Sequence, residues 1–168
     1  MVAGLRRLKA GLIRLLEAMV ALFMGVLVLD VLWQVLARAF PGIPSFWTEE
    51  LATVLLIWVS LLGACVAFER KGHLGIDFVV EKLPERGRRA AAILVQVFIG
   101  MFAGSLIYGG IEVVRVVLIA KQPLPALGID MGYVYLALPI SGFLILLTTL
   151  EELIEEVAAL RALSRERA

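Results

Sequence analysis

Few side chains in this 168-residue chain have the chemistry of a reactive site, and those few are scattered. One histidine, His73, and one cysteine, Cys65, are its whole supply of imidazole and thiol. A bis-histidine haem needs two imidazoles and a structural zinc four nitrogen or sulfur ligands, so neither can be assembled from this chain alone. The sequence carries no G-x-x-x-x-G-K-[ST] phosphate loop, no G-x-S-x-G elbow and no H-E-x-x-H pair. No catalytic residue, metal or cofactor is expected, and nothing points to an enzyme. Cys65, alone within an apolar run, reads as a small packing residue.

The carboxylates hold more information. In the stretch from Pro44 to Trp58, PSFWTEELATVLLIW, Glu49 and Glu50 stand directly before a long apolar run, just after Trp47. Two roles fit them. They can favour the first turn of a helix through its dipole, with Ser45 or Thr48 as N-cap, or they can form an acidic and aromatic rim for a partner. Asp30, Gln34 and Arg38 recur every four residues and so share one helical face. Asp30 would lie about 11 Å from the end of its span by helical rise. This ladder is better suited to holding a neighbouring helix than to transport, since one carboxylate makes a thin ion site. Glu112 with Arg115, and Glu17 with Arg14, are expected to be local pairs near the membrane surfaces.

The elements that must carry these residues are apolar. With 61% hydrophobic residues and a mean hydropathy of +0.96, the chain exceeds the ~45–50% apolar share of soluble domains. Its charges collect in short segments and leave four nearly uncharged stretches, about 15–37, 51–68, 90–114 and 132–150. Each is long enough to cross ~30 Å of hydrocarbon as a helix. Continuous apolar runs exclude the alternating pattern of a membrane barrel. The expected fold is an all-α integral membrane protein, one four-helix domain over residues 1–168. The first run is too long for the ~7–15-residue core of a signal peptide and reads as a retained span.

Thirteen of the sixteen Lys and Arg residues lie in the N-terminal tail, in the segment 69–89 and in the C-terminal tail. The positive-inside rule puts all three in the cytoplasm. Phe40, Phe46, Trp47, Tyr133 and Tyr135 then mark the opposite surface as an aromatic belt. In the middle loop, Ile76, Val79, Val80 and Leu83 follow helical spacing until Pro84, with Asp77 and Glu81 on the other side. A short amphipathic helix at the cytoplasmic interface fits, with Arg86, Arg88 and Arg89 facing anionic lipid headgroups. His73 reads as a capping or hydrogen-bonding residue there. Residues 151–163 continue the fourth helix into water, where Glu151, Glu152, Glu155 and Glu156 would favour a basic neighbour, most simply the arginines after Pro84. In the third span, Gly100, Gly104, Ser105, Gly109 and Gly110 would allow close approach of a partner helix.

These features together resemble the small membrane (Q) subunit of tripartite ATP-independent periplasmic (TRAP) transporters. The residues that carry the resemblance are Trp47-Thr48-Glu49-Glu50-Leu51 opening the second span and Trp58 with Gly63-Ala64 inside it. After that span come Arg70-Lys71-Gly72-His73-Leu74-Gly75-Ile76-Asp77 and Leu83-Pro84. The resemblance covers essentially the whole chain. It implies a non-catalytic scaffold for a large membrane subunit that holds the substrate and sodium sites, fed by a periplasmic binding protein that captures organic acids. It also implies a bacterial or archaeal inner membrane. Partner contacts are expected at Trp47, Glu49, Glu50, Trp58, Asp30, Gln34 and Arg38, and loop structure at Arg70, His73, Asp77, Arg86, Arg88 and Arg89. Membrane lipid is a further partner, and no nucleic acid is expected. The rival reading is a self-sufficient oligomeric four-span exporter coupled to protons through Asp30.

Overall fold

The computed structural model describes residues 2–40, 45–70 and 85–165, with side-chain surroundings at 10–40, 45–70 and 87–160. Helix α1 runs Val2–Ala39, α2 Phe46–Glu69 and α3 Glu85–Ala120. A short hairpin follows, β1 Pro123–Leu124 and β2 Ile129–Asp130, then α4 Met131–Tyr135 and α5 Ala137–Arg165. Four helical segments, Ala10–Ala39, Phe46–Glu69, Gly87–Ala120 and Met131–Leu160, are long and apolar enough to cross a membrane. The amphipathic pattern at Ile76, Val79, Val80 and Leu83, together with His73, Asp77 and the side chain of Arg86, lies outside the described residues.

The fourth span is two helices, where one is expected from the sequence. Proline cannot donate a backbone hydrogen bond, and its ring crowds the carbonyl four residues earlier. Pro139 places that conflict at Tyr135, where α4 ends, and the ladder resumes with Ile140 N–H donating to Leu136 O at 3.2 Å. The hairpin before it also goes unread in the apolar pattern. Lys121 leaves α3 with a left-handed φ of 47°, and its N–H donates to Leu118 O. The two strands pair antiparallel, Pro123 opposite Asp130 and Leu124 opposite Ile129. Gly128 takes the positive φ of 65° that the turn needs, and its N–H donates to Leu124 O at 2.8 Å.

Helix α5 lies between α2 and α3, and α1 packs on the far side of α2. The buried core, Cys65, Ala103 and Ile145, is where α2, α3 and α5 meet, with Phe68, Ile99, Leu144 and Leu146 around it. Small residues set the α3–α5 distance. A Cβ on Gly110 would come within 2.9 Å of Leu138 Cβ and the Pro139 backbone nitrogen, and one on Gly142 within 2.9 Å of Ile107 and 3.1 Å of the Ala103 carbonyl. Gly110 therefore serves an in-chain crossing. Gly104 and Gly109 have nothing within 4 Å of an added Cβ, and Gly100 looks onto Thr149 at 3.7 Å.

Helix α1 is attached along one narrow line. Its covered positions step by four and three, through Leu16, Val20, Phe23, Leu27, Asp30, Gln34 and Ala37, the spacing of a helix seated on a single neighbour. Leu22, Leu29, Trp33 and Leu36, on its other sides, are exposed. The seam is antiparallel. Phe23 meets Trp58 edge-on, with ring centroids 6.5 Å apart and planes at 83°.

Candidate interaction surface at the hairpin end

At the end of the molecule that carries the hairpin, α2 begins beside the end of α1 and brings its acidic pair between α1 and the hairpin. Ser45 occupies the N-cap position of α2, but its side chain makes no capping bond. Thr48 instead turns back, its hydroxyl donating to Ser45 O at 2.6 Å and its N–H to the same oxygen at 3.2 Å. Thr48 is fully buried, which fixes the first turn and aims the next two residues in different directions.

Glu49 points toward α1. Its Oε1 accepts from Arg38 Nη2 at 3.1 Å and from Gln34 Nε2 at 3.4 Å, and both charged side chains are 68% exposed. The expected ladder of Asp30, Gln34 and Arg38 thus holds a neighbouring helix of the same chain through its upper two members. Asp30 takes no part. It is buried, and neither carboxylate oxygen has a hydrogen-bond partner among the described residues.

Glu50 points the other way. Its Oε2 accepts the backbone N–H groups of Ala126 at 2.9 Å and Leu127 at 3.1 Å, at the tip of the hairpin. A carboxylate receiving two adjacent amide donors is a charge-assisted clasp, stronger than a neutral pair. It fastens the hairpin to α2, a role that neither helix capping nor a partner contact would have suggested. The turn-forming residues of the segment from Lys121 to Asp130, KQPLPALGID, with two prolines and a glycine, are the signal for it in the sequence.

Around this corner Phe40, Phe46, Trp47, Tyr133 and Ile129 are exposed, so the surface combines an exposed ion pair with aromatic side chains. Trp58 lies deeper, against Phe23 in the α1–α2 seam. Farther along α3, Arg115 and Glu112 form the expected intrahelical pair, with a 3.8 Å separation and both side chains exposed.

The opposite end is joined by longer-range pairs. Glu17, expected beside Arg14, instead accepts from Arg70 Nε at 2.9 Å and Nη2 at 2.7 Å, tying α1 to the end of α2. A residue 53 positions away leaves no trace in local spacing. Arg89 pairs with Glu156 at 3.2 Å, the basic neighbour expected for the acidic face of α5, and Gln96 donates to Glu152 one turn deeper. Arg88 is exposed beside them. Among the described residues, no three His, Cys, Asp or Glu side chains group as a metal site.

Four apolar helices whose charged side chains are confined mainly to the two ends describe a multi-pass membrane protein. Comparison with known proteins gives the kind. Residues 27–159 match the family model described as "Tripartite ATP-independent periplasmic transporters, DctQ component". The chain belongs to the DctQ family. It is therefore a TRAP transporter small permease subunit. It is 29% identical over 130 residues to the sialic acid TRAP transporter small permease protein SiaQ of Vibrio cholerae, covering 77% of this chain and 74% of that one. It is 31% identical over 136 residues to the ectoine small permease TeaB of Halomonas elongata, covering 80% and 69%. The isethionate TRAP transporter permease protein DctMQ of Oleidesulfovibrio alaskensis is 30% identical over 113 residues, 67% of this chain but 18% of that protein. That fused protein fits the pairing of small DctQ-family permeases with large permease subunits. The match spans the seam of α1 from Leu27 onward, both glutamates, the hairpin and most of α5.

Proposed function

We propose that this chain is the fixed, non-catalytic scaffold of a sodium-coupled TRAP transporter for organic acids. In this reading it braces the large subunit in a bacterial or archaeal inner membrane, as one four-helix domain. The supporting observation is the contrast between its polar and apolar surfaces. Six acids, Glu17, Glu49, Glu50, Glu112, Glu152 and Glu156, bond to groups of this same chain, while long apolar faces of α1 and α3 are uncovered. Such a molecule can offer packing area but has little with which to coordinate sodium or a carboxylate. Helix association in lipid runs on that kind of packing.

The hairpin end is then periplasmic and both termini are cytoplasmic, following the basic residues. Glu49, Arg38 and Trp47 lie where a periplasmic binding protein or the large subunit would meet the corner, and Glu50 holds the hairpin in place beside them. Arg88, exposed at the start of α3, is placed in this reading toward the lipid headgroups of the cytoplasmic surface.

One observation favours the rival exporter, namely the buried carboxyl of Asp30 with no hydrogen-bond partner among the described residues. Uptake into proteoliposomes separates the two readings. Vesicles holding this chain with its large subunit, supplied with binding protein, organic acid and an inward sodium gradient, are expected to accumulate substrate with native Asp30 or with Asp30→Asn. The scaffold reading is refuted by vesicles of this chain alone that move solute down a proton gradient and stop doing so with Asp30→Asn.

A further inference from the structure

Asp30 is 5% exposed in the middle of the α1–α2 seam, and both its carboxylate oxygens lack a hydrogen-bond partner among the described residues. A buried polar group without a partner is costly, and each one calls for a reason. One turn toward the hairpin end, on the same covered line of α1, stands Gln34. A glutamine and an aspartate four residues apart on a helix are within reach of each other's side chains. Gln34 instead extends to Glu49, at 3.4 Å, the long end of the hydrogen-bond range. The same oxygen, Glu49 Oε1, already accepts from Arg38 at 3.1 Å. Gln34 therefore makes the weaker of two bonds to one exposed acceptor, while a buried acceptor one turn away has none.

We propose that Gln34 is a two-position donor, turning between exposed Glu49 and buried Asp30, so that the occupancy of Glu49 at the surface sets the bonding inside the α1–α2 seam. Anything cationic that takes over the Glu49 carboxylate displaces the weaker donor. Gln34 then turns down to Asp30 and closes a polar contact within the apolar seam, stiffening the line along which α1 is attached. Loss of Arg38 has the opposite effect, because Glu49 then depends on Gln34 alone. The device links an exposed surface to the setting of α1 without any group from another chain entering the seam.

The chain has three glutamines, Gln34, Gln96 and Gln122, and three aspartates, Asp30, Asp77 and Asp130, so selective labelling isolates the pair. Protein carrying 15N in glutamine side chains and 13C in aspartate carboxyls is placed in lipid bilayers. Dipolar dephasing between the two labels is then measured by solid-state NMR, and Asp30→Asn defines the signal that belongs to Asp30. That signal is expected to be partial in the native chain, to rise in Glu49→Ala and to fall in Arg38→Ala. Both substitutions are at exposed positions outside the core. Equal dephasing in the native chain and Glu49→Ala overturns the proposal, as does the absence of any Asp30-dependent signal in Glu49→Ala.

Discussion

Glu50 offers the sharpest quantitative expectation, because its carboxylate is the only side chain among the described residues shown bonding to the hairpin backbone. It accepts from two adjacent amides at 2.9 and 3.1 Å in a partly buried setting. A hydrogen bond to a charged group contributes ~1.5–3 kcal/mol net, and partial exposure argues for the low end. Glu50→Ala should therefore raise the population of the open hairpin by about 2 kcal/mol, close to 30-fold at tenfold per ~1.4 kcal/mol. Glu50→Gln keeps one oxygen able to accept both amides but removes its charge, and should lose about half as much, roughly 5-fold. Hydrogen–deuterium exchange in lipid nanodiscs reads this directly at the Ala126 and Leu127 amides. Amides in the α3 core around Ala103 serve as the internal reference, and their exchange should not change. Protection at Ala126 and Leu127 that is the same in Glu50→Ala as in the native protein would refute the clasp, and Glu50 would then serve only the helix dipole.

The close crossing of α3 and α5 predicts opposite outcomes at two neighbouring glycines. Gly110→Ala must push the Pro139 backbone and Leu138 apart from 2.9 Å, an overpacking cost of ~1–3 kcal/mol, and should lower the thermal midpoint in detergent. Gly109→Ala has open space and should raise the midpoint through helix propensity, by up to ~1 kcal/mol. The Arg38–Glu49 pair, 68% exposed on both sides, should show a coupling under ~1 kcal/mol in a double-mutant thermal cycle, shrinking further in high salt. A coupling of several kcal/mol would mean that the pair is desolvated in the native setting. The Glu17–Arg70 pair ties α1 to the end of α2 at 2.7 Å, and Glu17→Gln should speed amide exchange in the last turn of α2 without preventing membrane insertion.

The four spans are legible in the sequence because lipid leaves no alternative, since each crossing must be continuously apolar and hydrogen-bonded within itself. What that same uniformity hides is which side of each helix is covered. Along α1 nearly every residue is apolar, so the line from Leu16 to Ala37 that seats it on α2 does not stand out, and only Asp30 and Gln34 mark it. Gly110 and Gly109 are indistinguishable as letters, yet one meets Pro139 and the other meets nothing. Pro139 marks the break at Leu136, although the apolar run passes through it without interruption. Pro123, Pro125 and Gly128 mark the hairpin in the same way. Local pairs such as Glu112–Arg115 follow from spacing, whereas Glu17–Arg70 and the clasp of Glu50 on residues 76 and 77 positions away are set by the packing of whole helices.

A scaffold must be found with what it braces, so the deciding measurement is purification of the tagged chain from native membranes in mild detergent, with mass determination of whatever accompanies it. A stable one-to-one complex with a much larger polytopic membrane protein is expected, and it should persist with Asp30→Asn. Recovery of homo-oligomers alone, at full yield and without a larger partner, would contradict the scaffold reading.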